Sequence, residues 1–173
     1  MLDPQATYCL WCGAPLQVRT LFGAPRQACS ACAFVHFRPP SSAACAVVAR
    51  GREVLLIQRN IQPYLGAWAL PGGFQDYGED PAAAAIREVA EETGLVVRIR
   101  RLLDVFYAIE DPRRRVNVIA YLASPVAGEL CAADDAAQAR FFALDALPDN
   151  IAFANNREIF ARLRAEFPTG DIQ

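Results

Sequence analysis

The alternation of hydrophobic and polar positions divides most of the chain into short strands and two amphipathic helices. Apolar side chains at every second position, or in short continuous runs, are typical of strands, whereas an i, i+3, i+4, i+7 spacing is typical of helices. The pattern predicts helices over residues 81–93 and 155–167, the second with an apolar face formed by Ile159, Phe160, Leu163 and Phe167. It predicts strands over residues 43–50, 53–59, 68–70, 96–107, 116–123 and 139–144.

Local signals set both ends of the first helix. Asp80 is a favourable N-cap, and Pro81 suits the first helical position. Gly94 supplies a left-handed stop at the other end. The helical spacing predicts a core-facing side made of Ile86, Val89, Ala90 and Thr93.

Composition and charge narrow the classes of protein. The chain has 173 residues, 54% of them hydrophobic, and a net charge of −2, so it lacks the basic field of a nucleic-acid-binding protein. All 17 basic residues are arginine, which excludes a lysine nucleophile. No basic segment precedes an apolar one as in a secretory signal, and the longest apolar run, near residues 43–49, is too short to cross a membrane. We therefore expect a cytoplasmic protein.

Carboxylates and glycines concentrate in residues 73–95, which read GFQDYGEDPAAAAIREVAEETGL. Glu88, Glu91 and Glu92 are three and four residues apart on one helix, so their side chains crowd together. A solvated acidic face would explain these three alone. It would not require the preceding glycines, which let the backbone approach a ligand, nor an arginine able to hold Glu79 in a bidentate pair. The pattern favours a site where oxygen ligands hold Mg2+ or Mn2+ against a phosphate chain.

The segment fits the pattern G-x5-E-x7-R-E-U-x-E-E-x-G-U, with U apolar, and so resembles the box of the Nudix hydrolases. The resemblance implies an α/β fold, a Nudix α/β/α sandwich with a mixed sheet, and hydrolysis of a nucleoside diphosphate linked to another group. It implies that the carbonyl of Gly72 and the carboxylates of Glu88 and Glu92 bind the metal, with Glu91 as an additional ligand. Arg87 and Glu79 complete the catalytic set. The general base stays open between a glutamate of the box, such as Glu88, and an acid from a later loop.

Four of the six cysteines form two C-x-x-C pairs, Cys9 with Cys12 and Cys29 with Cys32. Their spacing predicts a structural Zn2+ site with four thiolate ligands and a small hairpin between the pairs, at residues 23–25. Disulfides are the alternative, but they suit a secreted protein. We interpret residues 1–38 as a zinc ribbon and residues 39–173 as the Nudix domain, with a linker over residues 38–42.

Three residues near these elements have simpler readings. Cys45 and Cys131 are expected to be small buried hydrophobes. His36 could be a spare metal ligand, but four cysteines already complete the shell, so a structural or exposed histidine is the better reading.

The substrate depends on residues outside the box. One group of zinc-ribbon Nudix enzymes, the NADH pyrophosphatases, has a Ser-Gln-Pro-Trp-Pro-Phe-Pro signature that residues 103–108 lack. The chain is more similar to the group with a short ribbon that includes ADP-ribose and FAD pyrophosphatases. The resemblance lies in residues 29–40, 141–148 and 151–154, and it implies cleavage to AMP and a phosphorylated product.

Candidate substrate contacts are Trp68, Phe74 and Asp135. Asp135 is also a candidate further metal ligand or base, for which Glu110 and Glu129 compete. Tyr77, Phe106 and Tyr107 are aromatic alternatives, and the arginines at 113–115 could steer phosphates or form a solvated hairpin tip.

Other functions remain as hypotheses. An NADH- or NAD-type pyrophosphatase and a catalytically weak nucleotide sensor or nucleic-acid-binding protein are the alternatives to the ADP-ribose or FAD reading. The intact box disfavours a sensor, and the few basic residues before Arg38 disfavour a nucleic-acid-binding protein. The expected partner is a nucleotide-like small molecule, with no membrane and no nucleic acid. A homodimer, with the ribbon extending its interface, is compatible with the enzyme reading.

Overall fold

The computed structural model describes residues 2–111 and 114–172, and the chain divides between Pro40 and Ser41 into two compact units. The predicted domain boundary at residues 38–39 lies beside this division. Pro112 of the predicted turn, and the neighbouring Arg113, lie outside the described residues. Within the described part of the chain, no helix combines the length and apolar character needed to cross a membrane.

The first unit contains a three-stranded antiparallel sheet in the order β1-β2-β3. The strands are β1 (Leu16–Leu21), β2 (Ala24–Cys29) and β3 (Val35–His36). Phe22 and Gly23 both have positive φ angles, of 53° and 73°, as a two-residue hairpin turn requires. The predicted hairpin is present, although its turn lies slightly earlier than expected.

The second unit is built on a seven-stranded mixed sheet whose main path runs β10-β5-β4-β9-β8. Strands β4 and β9 are parallel, and the other pairs are antiparallel. The short strands β6 and β7 pair with β5 and β4. The elements are β4 (Ser41–Arg50), β5 (Glu53–Arg59), β6 (Trp68–Ala69), β7 (Gly72–Phe74), α1 (Pro81–Thr93), β8 (Leu95–Ala108), β9 (Val116–Gly128), β10 (Ala136–Ala143) and α2 (Ala154–Glu166).

One helix covers each face of this sheet, because successive side chains of a strand point to opposite sides. Ala46 and Val48 of β4 share a buried cluster with Ala84, Ala85 and Val89 of α1. Val47 and Ala49 of the same strand share another cluster with Ile159, Phe160 and Leu163 of α2. The predicted α/β/α sandwich with a mixed sheet is confirmed.

Several boundaries differ from the sequence prediction. Helix α1 has the predicted bounds, while β8 and β9 are longer than predicted. The linker predicted over residues 38–42 is wrong at its end, since Ser41 and Ser42 begin β4 and align with Val116 and Asn117 of β9. Strand β7 was not predicted, because two of its three residues are glycine and give no hydrophobic alternation.

The inward face of α1 also differs from the prediction. Ala90 is exposed, whereas Glu92 is buried with only 1% of its surface accessible. Because hydrophobic periodicity places charged residues outside, it could not identify a glutamate on the inner face.

The two isolated cysteines have different environments. Cys45 is buried as predicted. The prediction for Cys131 is wrong, because this thiol is exposed. His36 lies in the first unit, where its Nε2 is 3.3 Å from a carboxylate oxygen of Asp3.

Replacing the N-cap of α1 should destabilise the protein. Asp80 Oδ1 accepts hydrogen bonds from the amides of Ala82, at 2.8 Å, and Ala83, at 3.3 Å. We expect Asp80→Ala to cost about 1 kcal/mol of unfolding free energy, which corresponds to a fall in Tm of about 2–4 °C in thermal denaturation followed by circular dichroism. Asp80→Asn is the control, since it keeps the acceptor. Equal Tm values for wild type and Asp80→Ala would contradict this assignment.

Candidate active site

Two glycines bring the backbone of β7 against both the sheet and helix α1. A side chain on Gly72 would place its Cβ 2.4 Å from the carbonyl oxygen of Ala44 on β4. A side chain on Gly73 would place its Cβ 2.5 Å from the carboxylate of Glu88. Gly72 also has a φ of 154°, within the range that glycine adopts most easily. The glycines are therefore needed for α1 carboxylates to reach this backbone.

Arg87 is the centre of an ion-pair network around the box. Its Nε and Nη2 bond the two carboxylate oxygens of Glu79, at 2.9 and 3.0 Å. Its Nη1 bonds Glu88 at 2.8 Å and Glu91 at 2.9 Å, and its Nη2 also donates to the carbonyl of Phe74 at 3.1 Å. The bidentate pair expected between Arg87 and Glu79 is present. It fixes the loop before the helix to the helix itself.

The loop that carries Glu79 is held by further polar contacts. Ser42 on β4 donates from its hydroxyl to Gln75 Oε1 at 2.7 Å, and Gln75 Nε2 donates to the carbonyl of Glu79. The amide of Asp76 donates to Glu79 Oε2 at 3.1 Å. The hydrogen bond from Arg87, helped by the amide of Asp76, holds the pKa of Glu79 below its usual range. Glu79 is thus an anionic structural link between strand, loop and helix.

Glu92 is the most deeply buried carboxyl group of the site. Its Oε2 accepts a hydrogen bond from the amide of Gly72 at 2.9 Å. Burial raises the pKa of Glu92 to about 9, and a hydrogen bond with the carboxyl group of Asp135 adds to the rise. Burial likewise raises the pKa of Glu88, against the opposing effect of Arg87. The burial of Glu92 therefore favours its neutral form in the metal-free protein.

The sheet end beside Gly72 and Gly73 opens into a cavity of about 640 Å³. This volume lies within the range of small-molecule sites. Its wall includes four residues that the sequence analysis considered: Phe74, Asp135, and Glu110 and Arg114 from the segment between β8 and β9. The guanidinium of Arg114 lies 5.2 Å from the ring centre of Phe74.

The other nominated aromatic residues lie elsewhere. Trp68 is buried in the core, with its ring 4.7 Å from that of Phe142, and does not line the cavity. Phe106 also belongs to the core, while Tyr77 and Tyr107 are exposed outside the cavity.

The cavity residues that the sequence analysis did not nominate include Arg59, Tyr64 and Phe153. Arg59 and Tyr64 lie in and just after β5, and Phe153 precedes α2. Their distance in the sequence gives no local signal that they meet.

The donor set of the box suits a hard divalent cation. The carboxylates of Glu88, Glu91, Glu92 and Asp135, together with the carbonyl of Gly72, offer only oxygen ligands. Glu88 and Glu91 are bonded to Arg87, and Glu92 to Gly72 and Asp135. A bound cation would have to compete with these partners.

The four paired cysteines converge in the first unit. The Sγ atoms of Cys9, Cys12, Cys29 and Cys32 all lie within 4.8 Å of one another. Among the histidine, cysteine, aspartate and glutamate residues of 2–111 and 114–172, this is the one set of three or more whose ligand atoms converge this closely. Backbone amides also donate to sulfur, as from Ala31 to Cys29 at 3.3 Å, and this bond lowers the pKa of the Cys29 thiol. The arrangement can hold a thiolate-binding metal ion.

Known proteins place the chain in a family. The model of the NUDIX domain matches residues 38–163. The chain is 40% identical over 121 residues to the ADP-ribose pyrophosphatase of Methanocaldococcus jannaschii, covering 69% of this chain and 71% of that protein. The chain therefore belongs to the Nudix family.

Two further similarities differ in extent. The crystal structure of a Nudix hydrolase from Nitrosomonas europaea matches with a TM-score of 0.80 at 27% identity, covering 92% of this chain and 90% of that one. Human diphosphoinositol polyphosphate phosphohydrolase 3-alpha is 38% identical over 82 residues. This second match covers 47% of the chain and 49% of the human protein.

The raised pKa of Glu92 predicts how the stability of the metal-free protein depends on pH. The ordinary value is 4.5 and the folded value about 9, so folding favours the protonated carboxyl group. Its stabilising contribution is complete below pH 4.5 and disappears as the pH rises towards 9. In EDTA, we expect the Tm of wild type to fall more steeply between about pH 6 and pH 9 than that of Glu92→Gln, which stays neutral. Parallel pH profiles of the two proteins would refute this environment for Glu92.

Proposed function

We propose that this Nudix enzyme hydrolyses the pyrophosphate bond of a nucleoside diphosphate derivative, ADP-ribose or FAD, in the presence of Mg2+ or Mn2+. The products are AMP and a phosphorylated remainder. The observation that carries the proposal is the position of the box. Gly73, the first residue of the box, lines with Gly72 and Asp135 a cavity that has the volume and aromatic wall that a nucleotide requires, and the carboxylate of Glu88 lies against Gly73.

The proposed metal ligands are the carbonyl of Gly72 and the carboxylates of Glu88, Glu91 and Glu92. A divalent cation at such ligands neutralises phosphate oxygens and acidifies a bound water. Arg87 and Glu79 position the ligands, because their bidentate pair fixes the loop to the helix. Asp135, which lines the same cavity as Gly72, is proposed as a further ligand.

The water must lose a proton as it attacks phosphorus. Glu88, Glu91 and Asp135 are the carboxyl groups proposed for this step. Glu91 is the most accessible of the box carboxylates, with 47% of its side chain exposed, and it is paired with Arg87 at 2.9 Å. Glu92 is less suited to a proton-accepting role, since its buried carboxyl group already holds a proton at neutral pH without metal.

The choice of substrate rests on the cavity and on the relative from Methanocaldococcus jannaschii, an ADP-ribose pyrophosphatase. Phe74, Tyr64 and Phe153 give the cavity aromatic surface, which suits a purine or flavin ring better than a polyphosphorylated inositol. The NADH-type alternative and the sensor alternative become outcomes of the assay below.

The four cysteines of the first unit are proposed to hold one structural Zn2+, which makes residues 1–38 a zinc ribbon and residues 39–173 the Nudix domain. Their converged Sγ atoms support this assignment. The cytoplasmic location and the homodimer stay predictions from the sequence.

Activity is tested with a substrate panel of ADP-ribose, FAD, NADH and dinucleoside polyphosphates, each with Mg2+ or Mn2+. We expect ADP-ribose or FAD to yield AMP and EDTA to abolish turnover. Glu92→Gln removes a metal ligand, so kcat/KM should fall by about a hundredfold or more, since even indirect metal partners are worth about 10–100-fold. Glu158→Gln on the exposed side of α2 is the matched control and should retain activity.

Three results of this panel would change the function. Preference for NADH would favour the alternative pyrophosphatase, and turnover that survives Glu92→Gln would remove the metal role. A wild-type protein that cleaves none of these compounds would favour the sensor.

Zinc is tested by elemental analysis of protein purified under reducing conditions. We expect about one zinc per chain in wild type and a loss of zinc in Cys12→Ser or Cys29→Ser. Cys131→Ser is the control, because this thiol lies outside the cluster and should leave the zinc content unchanged. Zinc-free wild type, or equal zinc in all four proteins, would contradict the four-cysteine site.

A further inference from the structure

The loop that follows β5 presents a tyrosine in an unfavourable backbone conformation. Tyr64 has a φ of 64°, in the left-handed region. Such angles are uncommon for residues other than glycine, and they are exceptional for bulky ones. Strain of this kind persists where the surrounding structure enforces it, and it is concentrated at functional sites. Glycine would adopt this conformation without strain, so the presence of a tyrosine here points to a role for its side chain.

Hydrogen bonds lock the loop in this shape. The amide of Gly66 donates to the carbonyl of Arg59 at 2.8 Å, and the amide of Ala67 donates to the carbonyl of Tyr64 at 3.0 Å. The side chain of Gln58 donates to the carbonyl of Gly66 at 3.0 Å. Tyr64 is thus held in place before any ligand arrives, which reduces the entropy lost on binding.

Tyr64 lines the same cavity as Gly72 and Gly73, and it lies against a second aromatic ring. The rings of Tyr64 and Phe153 meet edge to face, with centres 5.2 Å apart and an interplanar angle of 83°. The guanidinium of Arg59 lies 5.1 Å from the ring centre of Phe153, and its Nε donates to the carbonyl of Pro63 at 2.8 Å. Phe153 is held between these groups, while 39% of the surface of Tyr64 remains accessible.

The competing aromatic surface of the cavity is Phe74. Its ring is covered by the guanidinium of Arg114, and its carbonyl accepts from Arg87 of the box. Glu110 and Asp111 line the cavity on the side of Arg114. This side is charged and suits phosphate or sugar hydroxyl groups. Phe74 is itself 48% exposed, but its ring lies beside these charged groups, whereas Tyr64, 39% exposed, packs against the apolar ring of Phe153 and offers an aromatic face to an uncharged planar base.

We propose that Tyr64, supported by Phe153, is the residue on which the adenine base of the substrate stacks, and that it sets the preference for a nucleotide. The inference rests on the proposed function in one respect, since it takes the cavity beside the box as the substrate site. It assigns a residue that determines specificity, and it assigns the orientation in which the substrate lies in the cavity. The base lies towards the loop after β5, and the pyrophosphate lies at Gly72 and Gly73.

The test is equilibrium binding, which requires no turnover. Isothermal titration calorimetry measures the affinity of the full-length protein for AMP and for ribose 5-phosphate, which has the same phosphate and sugar without the base. We expect Tyr64→Ala and Tyr64→Gly to weaken AMP binding about tenfold and leave the affinity for ribose 5-phosphate unchanged. Tyr64→Phe keeps the aromatic face and should bind AMP as wild type does. Tyr107→Ala is the matched control, an exposed tyrosine outside the cavity.

Folding effects are separated from binding by comparing two of these variants. Glycine accepts the left-handed conformation that alanine does not, so Tyr64→Gly should have a higher Tm than Tyr64→Ala. Both should lose the same affinity for AMP. An AMP affinity that follows Tm across the variants would mean that the tyrosine acts on stability alone, which would overturn the inference.

The remaining outcomes distinguish this inference from the proposed function. Wild type that hydrolyses ADP-ribose, with AMP affinity unaffected by Tyr64→Ala and Tyr64→Gly, would overturn the stacking role and leave the function intact. Wild type that hydrolyses nothing in the panel, but binds AMP through Tyr64, would support the stacking role and remove the enzyme. Wild type that binds AMP no better than ribose 5-phosphate would overturn the stacking role in either case.

Discussion

The hydrogen bond between the buried carboxyl group of Glu92 and the amide of Gly72 joins the parts on which the site depends. One partner belongs to the inner face of α1, and the other belongs to a strand that pairs with β4. The contact exists only because Gly72 and Gly73 leave no side chain between helix, loop and sheet. Helix packing, loop position and carboxylate placement are therefore consequences of one close approach.

That close approach has an electrostatic cost, which the structure offsets only in part. Arg87 is shared among Glu79, Glu88 and Glu91, so its single positive charge offsets part of the negative charge of these three carboxylates. Glu92 has no bond to this arginine, and its burial, together with the neighbouring Asp135, raises its pKa. A carboxyl group held in this way destabilises the folded protein when it is ionised alone. A divalent cation would supply the missing positive charge, so the same feature that limits the metal-free protein favours metal binding.

The sequence was sufficient wherever the determining signal is local. Asp80, Pro81 and Gly94 fix the ends of α1 through short-range geometry, and the helix has the predicted bounds. The spacing of Cys9, Cys12, Cys29 and Cys32 likewise indicated that their thiols converge. The sequence was insufficient where tertiary contacts decide. The helical periodicity of hydrophobic residues does not predict that Glu92 is buried. The contact between the rings of Tyr64 and Phe153 joins two residues that lie far apart in the sequence. Trp68 was nominated as an aromatic substrate contact, yet it is buried in the core, where its ring packs against that of Phe142.

The central claim is that α1 and β7, the strand that contains Gly72 and Gly73, together form a divalent-metal site. The most direct measurement is anomalous diffraction from crystals of the wild-type chain soaked in Mn2+. The account predicts an anomalous peak within coordination distance, about 2–2.5 Å, of the carboxylates of Glu88 and Glu92 and the carbonyl of Gly72. A Mn2+ ion bound elsewhere, with Glu92 still bonded to Gly72 and Asp135 as in the metal-free chain, would contradict it.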